Sequence, residues 1–127
     1  REHLELYGAI DITLDTFPYT GATTTCESLW MGVPVVTLRG GQYVGRLSAS
    51  ILTHADCREW IAESPEEYLA IAGELAAQPQ RLEEVRSQLR DALAQSPVCD
   101  AEAAARATEK LYRTLWQKSC RGKRLAG

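Results

Sequence analysis

The sequence lacks any apolar run near the ~18 residues that a membrane-spanning helix needs, and it opens with Arg1-Glu2-His3 rather than with a signal peptide. It also lacks a strong charge of either sign, since 14 lysines and arginines stand against 17 acidic residues and cluster only in the tail Arg121–Arg124. No field suited to a nucleic-acid backbone is therefore expected. We expect a soluble protein that has neither a membrane nor a nucleic acid as a partner.

Cysteine is sparse and scattered. The four cysteines form no C-x-x-C pair, and only His3 and His54 could join them as metal ligands, so a zinc site is not expected. Nothing indicates secretion, which favours reduced thiols and a cytoplasmic location over two disulfide bridges. Cys26 and Cys57 are interpreted as small buried hydrophobes.

The 127 residues fit one domain with one core. We divide this domain into a strand–loop–helix portion, residues 1–60, and a C-terminal helical portion, residues 61–127. The patterns of the first portion predict, in order, a helix end at residues 3–7, a strand Ile10–Leu14, a loop at 16–22, a helix at 23–31 ended by Gly32, a strand Val33–Leu38 and a helix at 43–55. This order predicts two parallel strands joined by a right-handed crossover, the pattern of an α/β fold.

From Ser64 onward the second portion has a helical period, and no strand signal recurs. Ser64-Pro65-Glu66-Glu67 predicts a helix start, with a capping serine, a proline at the first helical position and a glutamate at the third. The predicted apolar stripes are Tyr68, Ile71, Ala72 and Leu75, then Leu82, Val85, Leu89 and Leu93, then Leu111, Leu115 and Trp116 on a helix capped by Asp100.

Two strands are few for an α/β domain, in which about five are usual. Strands absent from this sequence, a partner chain such as a second copy in a dimer, or a rearranged packing would each cover the open strand edge, and the residues leave these alternatives open.

The end of the first strand and the start of the next helix have the features of an anion site. Backbone N–H groups in the first turn of a helix have no internal partner, and the helix dipole adds about half a positive charge there. Gly21 and Ala22 allow close approach to the backbone, and the hydroxyls of Thr23 and Thr24 add donors. The segment Thr24-Thr25-Cys26-Glu27 also fits a capping box, in which Thr24 and Glu27 merely cap their own helix. An anion site and a capping box therefore both stay open as interpretations.

Several segments carry a resemblance to a known family. They are Asp11–Tyr19, Gly21–Thr25, Leu29–Leu38, Gly40, Arg46–Ser50 and Glu109–Trp116. In these segments the chain resembles the C-terminal catalytic region of the O-linked N-acetylglucosamine transferases, the SPINDLY-like glycosyltransferase family 41. Its Phe17-Pro18-Tyr19 is similar to the version in bacterial members, which commonly carry tetratricopeptide repeats upstream.

The resemblance implies a GT-B fold of two Rossmann-like lobes, with this chain as the C-terminal half of the second, nucleotide-binding lobe. The UDP-binding residues that it implies are His3, Gly21, Ala22, Thr23, Thr24 and Glu27. The threonine pair would contact the diphosphate, and Glu27 would contact the ribose, where aspartate is usual in the animal enzymes. His3 matches a histidine near the nucleotide, or is simply an exposed terminal histidine. The family is not metal dependent, so no metal ion or cofactor is implied.

Two residues depart from the family pattern. Ala22 stands where the animal enzymes have a histidine beside the phosphates, and Gly45 stands where serine commonly precedes the arginine matched by Arg46. Arg46 is expected to brace the loop after the second strand. The family's phosphate-binding lysine precedes the residue matched by Arg1, and its proposed general-base histidine lies far upstream. No catalytic residue is therefore expected in this chain, which by itself should be inactive.

The function implied by the resemblance is transfer of N-acetylglucosamine from UDP-GlcNAc to serine or threonine hydroxyls of a protein. The expected partners are the UDP-sugar donor, the acceptor protein, and the upstream repeat and catalytic segments of the same polypeptide. Two alternatives stay open. One is an inactive nucleotide-binding or scaffold protein of the same fold, which the departure at Ala22 motivates. The other is a transferase with another donor, such as a UDP-hexose or GDP-fucose, or with an asparagine acceptor.

Overall fold

The computed structural model, which describes residues 2–124 and the side chains of residues 2–121, is a three-stranded parallel sheet surrounded by helices. The strands, in their spatial order, are β1 (Thr13–Leu14), β2 (Val35–Leu38) and β3 (Ile61–Ala62). The helices are α1 (Glu2–Glu5), α2 (Thr23–Trp30), α3 (Leu47–His54), α4 (Pro65–Ala76), α5 (Pro79–Ala94) and α6 (Ala101–Arg124), with 3-10 turns at Leu6–Ala9, Tyr43–Gly45 and Arg58–Trp60. Within the basic tail, only the side chain of Arg121 belongs to the described part.

Each strand pairs with the next one along the chain. Thr13 lies opposite Val35 in the β1–β2 pair, and Thr37 lies opposite Ile61 in the β2–β3 pair. Helix α2 links β1 to β2, and α3 links β2 to β3. These are two successive strand–helix–strand units, and they confirm the predicted parallel pair joined by a crossover.

The prediction of only two strands is wrong, because β3 lies at the start of the portion that was assigned as purely helical. Its two residues are too few to show a period of two in the sequence. The strand exists through its pairing with β2, and the amide of Arg39 extends this pairing by donating to the carbonyl of Ala62 at 2.9 Å. The first strand is also shorter than predicted, since Ile10 lies outside β1.

The predicted helix at residues 43–55 is divided in two. A 3-10 turn, Tyr43–Gly45, is separated from α3 by Arg46, whose φ of −121° and ψ of −2° break the helical path. The apolar period continues through both pieces, which is why the break is not visible in the pattern.

Three predicted helix boundaries hold, whereas the first helix ends at Glu5 and is followed by the 3-10 turn Leu6–Ala9. Gly32 ends α2 with a φ of +79°, a conformation that favours glycine. The Ser64 hydroxyl accepts from the Glu67 amide at 3.2 Å, while the Glu67 carboxylate accepts from the amide of Glu63 at 2.7 Å, one residue before the position that a standard capping box would use. The Ala103 amide donates to the carboxylate of Asp100 at 2.8 Å, so the predicted cap of α6 is confirmed.

The core lies around β2 and the inward faces of α2, α3, α4 and α5. Its buried members are Leu29, Val35, Val36, Ala49, Leu52, Ala55, Cys57, Trp60, Ile61, Ala62, Tyr68, Leu75, Leu89 and Leu93. The predicted stripes of α4 and α5 are confirmed as buried or half-buried. The stripe of α6 is not buried, since Leu111, Leu115 and Trp116 are each more than half exposed.

The four cysteines are free thiols, with Cys57 buried, Cys26 half-buried, and Cys99 and Cys120 exposed. Among the described residues, no group of three or more His, Cys, Asp or Glu side chains is arranged to hold a metal ion. None of the described helices is both long and apolar enough to cross a membrane.

Candidate functional site

Asp15, the first residue after β1, is a buried carboxylate that holds the following loop. Its Oδ1 atom accepts from the amides of Gly21 at 2.8 Å and Thr16 at 3.0 Å, and its Oδ2 atom accepts from the Thr37 hydroxyl at 2.6 Å. The side chain is thus bonded to both ends of the loop and to the neighbouring strand. The path of the chain from β1 to α2 is therefore fixed at the carboxyl edge of the sheet.

Ser48, near the start of α3, holds the same loop from its other side. Its hydroxyl donates to the Gly21 carbonyl at 2.9 Å and lies 2.8 Å from the Thr25 hydroxyl. The Ser48 amide lies 3.4 Å from the hydroxyl of Thr20, which itself donates to the Val44 carbonyl at 2.9 Å. Thr20, Thr25 and Ser48 are buried, so these bonds form away from competing water.

Gly21 is consequently engaged at both backbone groups, because its amide donates to Asp15 and its carbonyl accepts from Ser48. A Cβ atom at this position would lie 2.6 Å from the Thr25 hydroxyl and 2.7 Å from the Thr24 hydroxyl. Only glycine fits without a shift of the neighbouring residues. Its contribution to the site is this close packing, since its N–H is already occupied.

Helix α2 begins immediately after this fixed loop. Ala22 is the N-cap residue, no side chain caps the helix, and the first bond of the helix runs from the Cys26 amide to the Ala22 carbonyl at 3.1 Å. The amides of residues 23–25 precede that bond and have no acceptor within the helix. Thr23 and Thr24 are exposed beside them. The alternative in which Thr24 and Glu27 form a capping box is wrong, because Thr24 lies inside the helix.

The Glu27 carboxylate instead contacts α1. The His3 Nε2 atom lies 3.3 Å from Glu27 Oε2, and the His3 ring packs edge-on against Tyr7 with 5.8 Å between ring centroids. Burial, and then the charge of Glu27, raise the pKa of Tyr7 above its ordinary value of 10.0, so its hydroxyl stays neutral near pH 7. Glu27 lies one helical turn beyond Thr23, which places both on one side of α2. The structure thus brings His3 and Glu27 together beside the first turn of α2.

The loop after β2 closes against the same region. The Gly40 amide donates to the Gly45 carbonyl at 2.8 Å, and the Arg46 Nε donates to the Gly40 carbonyl at 2.9 Å, which confirms that Arg46 braces this loop. A Cβ atom at Gly45 would lie 3.1 Å from both the Gly40 Cα and the Pro18 carbonyl oxygen. The close approach of the two loops leaves little room for a side chain at position 45.

Taken together, the first turn of α2 offers amide and hydroxyl donors, and the Glu27 carboxylate one turn away offers acceptors. Such a surface suits a ligand that carries phosphate at one end and hydroxyl groups at the other. None of His3, Ala22, Thr23, Thr24 and Glu27 is a lysine or arginine, so this group supplies no fixed cation.

Sequence reasoning missed the residues that hold the site in place. In the sequence, Asp15 and Ser48 stand out only as members of segments that match the family. Tyr68, interpreted as part of an apolar stripe, also donates its hydroxyl to the Asp15 carbonyl at 2.9 Å. An acidic residue directly after a strand, at the carboxyl edge where loops need anchoring, is the one signal that pointed to Asp15.

A parallel sheet with helical crossovers and a ligand-suited loop at the carboxyl ends of its strands defines the Rossmann-like class of nucleotide-binding folds. Comparison with protein families makes the assignment specific, since the model of Glycosyl transferase family 41 matches residues 1–107. The chain belongs to glycosyltransferase family 41. Its fold is that of the expected class, part of a Rossmann-like lobe of a GT-B glycosyltransferase.

Individual relatives agree with this family. The chain is 46% identical over 122 residues, or 96% of its length, to the probable UDP-N-acetylglucosamine–peptide N-acetylglucosaminyltransferase SPINDLY of Oryza sativa subsp. japonica, and 44% identical over the same share to its namesake in Hordeum vulgare. A solved structure of a mutant O-GlcNAc transferase from Thermobaculum terrenum is similar over 94% of the chain, with a TM-score of 0.86 and 39% identity. The chain spans 13% of each plant relative and 23% of that solved chain.

Proposed function

We propose that this chain is the UDP-binding part of a protein O-glycosyltransferase. The whole protein would transfer N-acetylglucosamine from UDP-GlcNAc to serine or threonine hydroxyls, and the chain by itself would be inactive. The observation that carries the proposal is the uncapped start of α2, held in place by Asp15 and Ser48 and placed beside the His3–Glu27 pair.

A diphosphate is the group that this helix start suits best. The amides of residues 23–25 point out of the first turn, and each donor to an anion forms a charge-assisted bond that is stronger than a neutral one. The exposed hydroxyls of Thr23 and Thr24 lie in the same turn. Because buried bonds hold the loop before ligand binds, little ordering free energy is lost on binding.

The ribose end of the nucleotide suits Glu27. A carboxylate accepts hydrogen bonds from vicinal hydroxyls, and its position one turn from Thr23 matches a ligand that extends along one side of α2. The contact with His3 restricts where this carboxylate points. His3 would therefore contribute to nucleotide binding through Glu27.

The proposed inactivity of the chain has an electrostatic reason. A UDP leaving group develops negative charge that a nearby cation must stabilise, and the six proposed UDP-binding residues include no lysine or arginine. We propose that this cation and the general base belong to upstream segments of the same polypeptide, with tetratricopeptide repeats further upstream. The small share of the relatives' length that the chain spans supports this division.

An acceptor protein and a cytoplasmic location complete the proposal. A protein acceptor is supported by the names of the plant relatives, which describe probable peptide N-acetylglucosaminyltransferases. The cytoplasmic location is supported by four free thiols, which are typical of a reducing compartment.

The test is a UDP titration by calorimetry into the intact protein that contains this chain. We expect Thr23→Ala and Thr24→Ala each to weaken UDP binding about tenfold, the size of one charge-assisted bond. Thr108→Ala on α6 is the matched control, because Thr108 is exposed and bonds only within its own helix. Unchanged affinity in both Thr23 and Thr24 variants would reject this placement of the diphosphate.

Ala22 motivates the alternative of a nucleotide-binding protein without turnover, because its methyl side chain cannot donate a hydrogen bond to the phosphates. Transfer of radiolabelled sugar to protein by the intact protein separates the candidates. Sustained transfer from UDP-GlcNAc supports the proposed enzyme, and transfer only from GDP-fucose supports a different donor. Tight UDP binding without transfer from either donor supports a scaffold.

A further inference from the structure

A second polar feature lies beside α3 and shares no residue with the proposed UDP site. It is a cleft of about 450 Å³ whose polar lining residues are Arg39, Arg46, Ser50, Thr53, His54 and Arg58. We call this group the arginine cleft. Three of its six polar residues are arginines, and none of its described lining residues is acidic, although the whole chain carries a net charge of −3. The lining of the cleft is therefore positively charged, although the chain as a whole has a negative net charge.

The arginines of the cleft are only partly engaged within the chain. Arg39 lies 3.2 Å from the Glu63 carboxylate, but both side chains are exposed, so water weakens the pair. Arg46 uses its Nε atom to brace Gly40. Arg58 forms no ion pair within the described part of the chain. Guanidinium donors that line the cleft are thus available to a ligand.

Between the arginines, the Ser50 hydroxyl adds one free donor, whereas His54 and Thr53 already donate to backbone carbonyls of α3. The His54 Nδ1 atom lies 2.8 Å from the Ser50 carbonyl, which can only accept, so Nδ1 carries the hydrogen and Nε2 remains the free ring nitrogen. The Ser50 side chain is exposed at the cleft. Thr53 donates its hydroxyl to the Ala49 carbonyl at 2.7 Å and retains acceptor capacity.

We propose that the arginine cleft binds a small phosphorylated ligand at a site separate from the UDP site. The planar guanidinium presents paired N–H donors that match two phosphate oxygens, a geometry that a lysine cannot offer. The volume of the cleft lies within the roughly 300–1,000 Å³ that small-molecule sites occupy. Several arginines around such a volume suit a compact ligand with more than one negative charge.

The position of the cleft in the fold favours its accessibility in a larger protein. Arg39 follows β2 and Arg58 shortly precedes β3, so the cleft lies on the β3 side of the sheet. Consecutive strands of such sheets usually lie side by side, so strands from an upstream segment would pair with the free edge of β1. The strand β2 lies between that edge and the side of the sheet that holds the cleft.

The test is a titration of inorganic pyrophosphate into the chain at constant ionic strength, followed by NMR amide shifts. The chain carries Thr23→Ala and Thr24→Ala in every sample to weaken the UDP site, and residual binding there would be recognised by shifts at residues 23–25. We expect saturable shifts around residues 46–58 and about tenfold weaker binding for Arg58→Gln. Arg113→Gln, an exposed arginine on α6, is the matched control and should bind as the parent does.

Arg58→Lys keeps the charge and removes the paired donors, so it should bind less tightly than arginine and more tightly than glutamine. Circular dichroism establishes that each variant is folded. Equal losses in Arg58→Gln and Arg113→Gln, or an absence of saturation, would overturn the proposal. Tighter binding of a poly-glutamate peptide than of pyrophosphate would overturn it in favour of an acidic protein partner.

Discussion

The Asp15 Oδ1 atom lies 2.8 Å from the Gly21 amide nitrogen, and this bond fixes the corner from which α2 begins. The same carboxylate is buried and accepts two further bonds, from Thr16 and Thr37. Its main role is therefore to hold the loop, so the proposed phosphate donors are positioned before a ligand arrives.

Removal of this carboxylate should destabilise the fold. Asp15→Ala leaves three donors without their acceptor, and we expect the free energy of unfolding to fall by about 3 kcal/mol. Asp15→Asn keeps the shape and part of the acceptor capacity, and should cost about 1 kcal/mol. Urea unfolding followed by circular dichroism measures both values. Asp11→Ala is the control, because its side chain is 83% exposed, and it should change stability by less than about 0.5 kcal/mol. A loss for Asp15→Ala as small as that would contradict the role given to Asp15.

A methyl group at position 21 should distort the start of α2. In Gly21→Ala the new Cβ atom would lie within 2.7 Å of two threonine hydroxyls, so the loop or the helix start must move. We expect a loss of about 1–3 kcal/mol in stability, as for other overpacked sites, together with weaker UDP binding by the intact protein. Gly41→Ala is the matched control, since no atom lies within 4 Å of a Cβ atom at that position. Equal effects of the two substitutions would show that the close packing at Gly21 has no energetic importance.

His3 and Glu27 should be coupled in UDP binding, if the proposed function is correct. Glu27→Gln should weaken UDP binding about tenfold through loss of a charged acceptor, and His3→Ala should have a smaller effect. The double variant should lose less than the two single losses combined, because His3 acts through Glu27. Stability should change by less than about 0.5 kcal/mol, since the His3 side chain is 63% exposed and water weakens the pair. Glu66→Gln, exposed on α4, is the control and should leave UDP binding unchanged. Strictly additive losses in the double variant would show that His3 and Glu27 act independently.

The buried thiol of Cys57 should resist alkylation. Burial is the main cause that raises its pKa to about 12, and the thiolate is the reactive form. At pH 8, iodoacetamide and mass spectrometry should therefore show modification of the exposed Cys99 and Cys120 well before Cys57. Equal rates in the folded chain would contradict the burial of this residue.

The same shift predicts a loss of stability at high pH. The unfolded chain releases the Cys57 proton near pH 9, whereas the folded chain keeps it until about pH 12, so the folded state binds more protons between these values. The contribution of this group is fully present below pH 9 and is lost as pH rises, by up to about 1.4 kcal/mol per pH unit. Urea unfolding between pH 8 and 10.5 should show a shallower decline for Cys57→Ala than for the parent chain.

The local features of the sequence predicted local structure well. Gly32 and Ser64 determine helix boundaries through their own backbone and side-chain preferences, which need no distant partner. The stripes of α4 and α5 repeat over several turns and therefore predict which faces are buried. The strand β3 could not be predicted in the same way, because two residues contain no period and only pairing with β2 defines them.

The amino-acid sequence by itself determined the α/β class, the family, the parallel β1–β2 pair and the helix start at Thr23, because each depends on residues that are neighbours in the chain or on a long matching segment. Only the tertiary structure decided that the Gly21 amide is occupied by Asp15, that Ser48 closes the loop from α3, and that Arg39 and Arg58 line one cleft. These contacts join residues that folding brings together, and the direction of a buried hydrogen bond depends on the geometry of the whole fold.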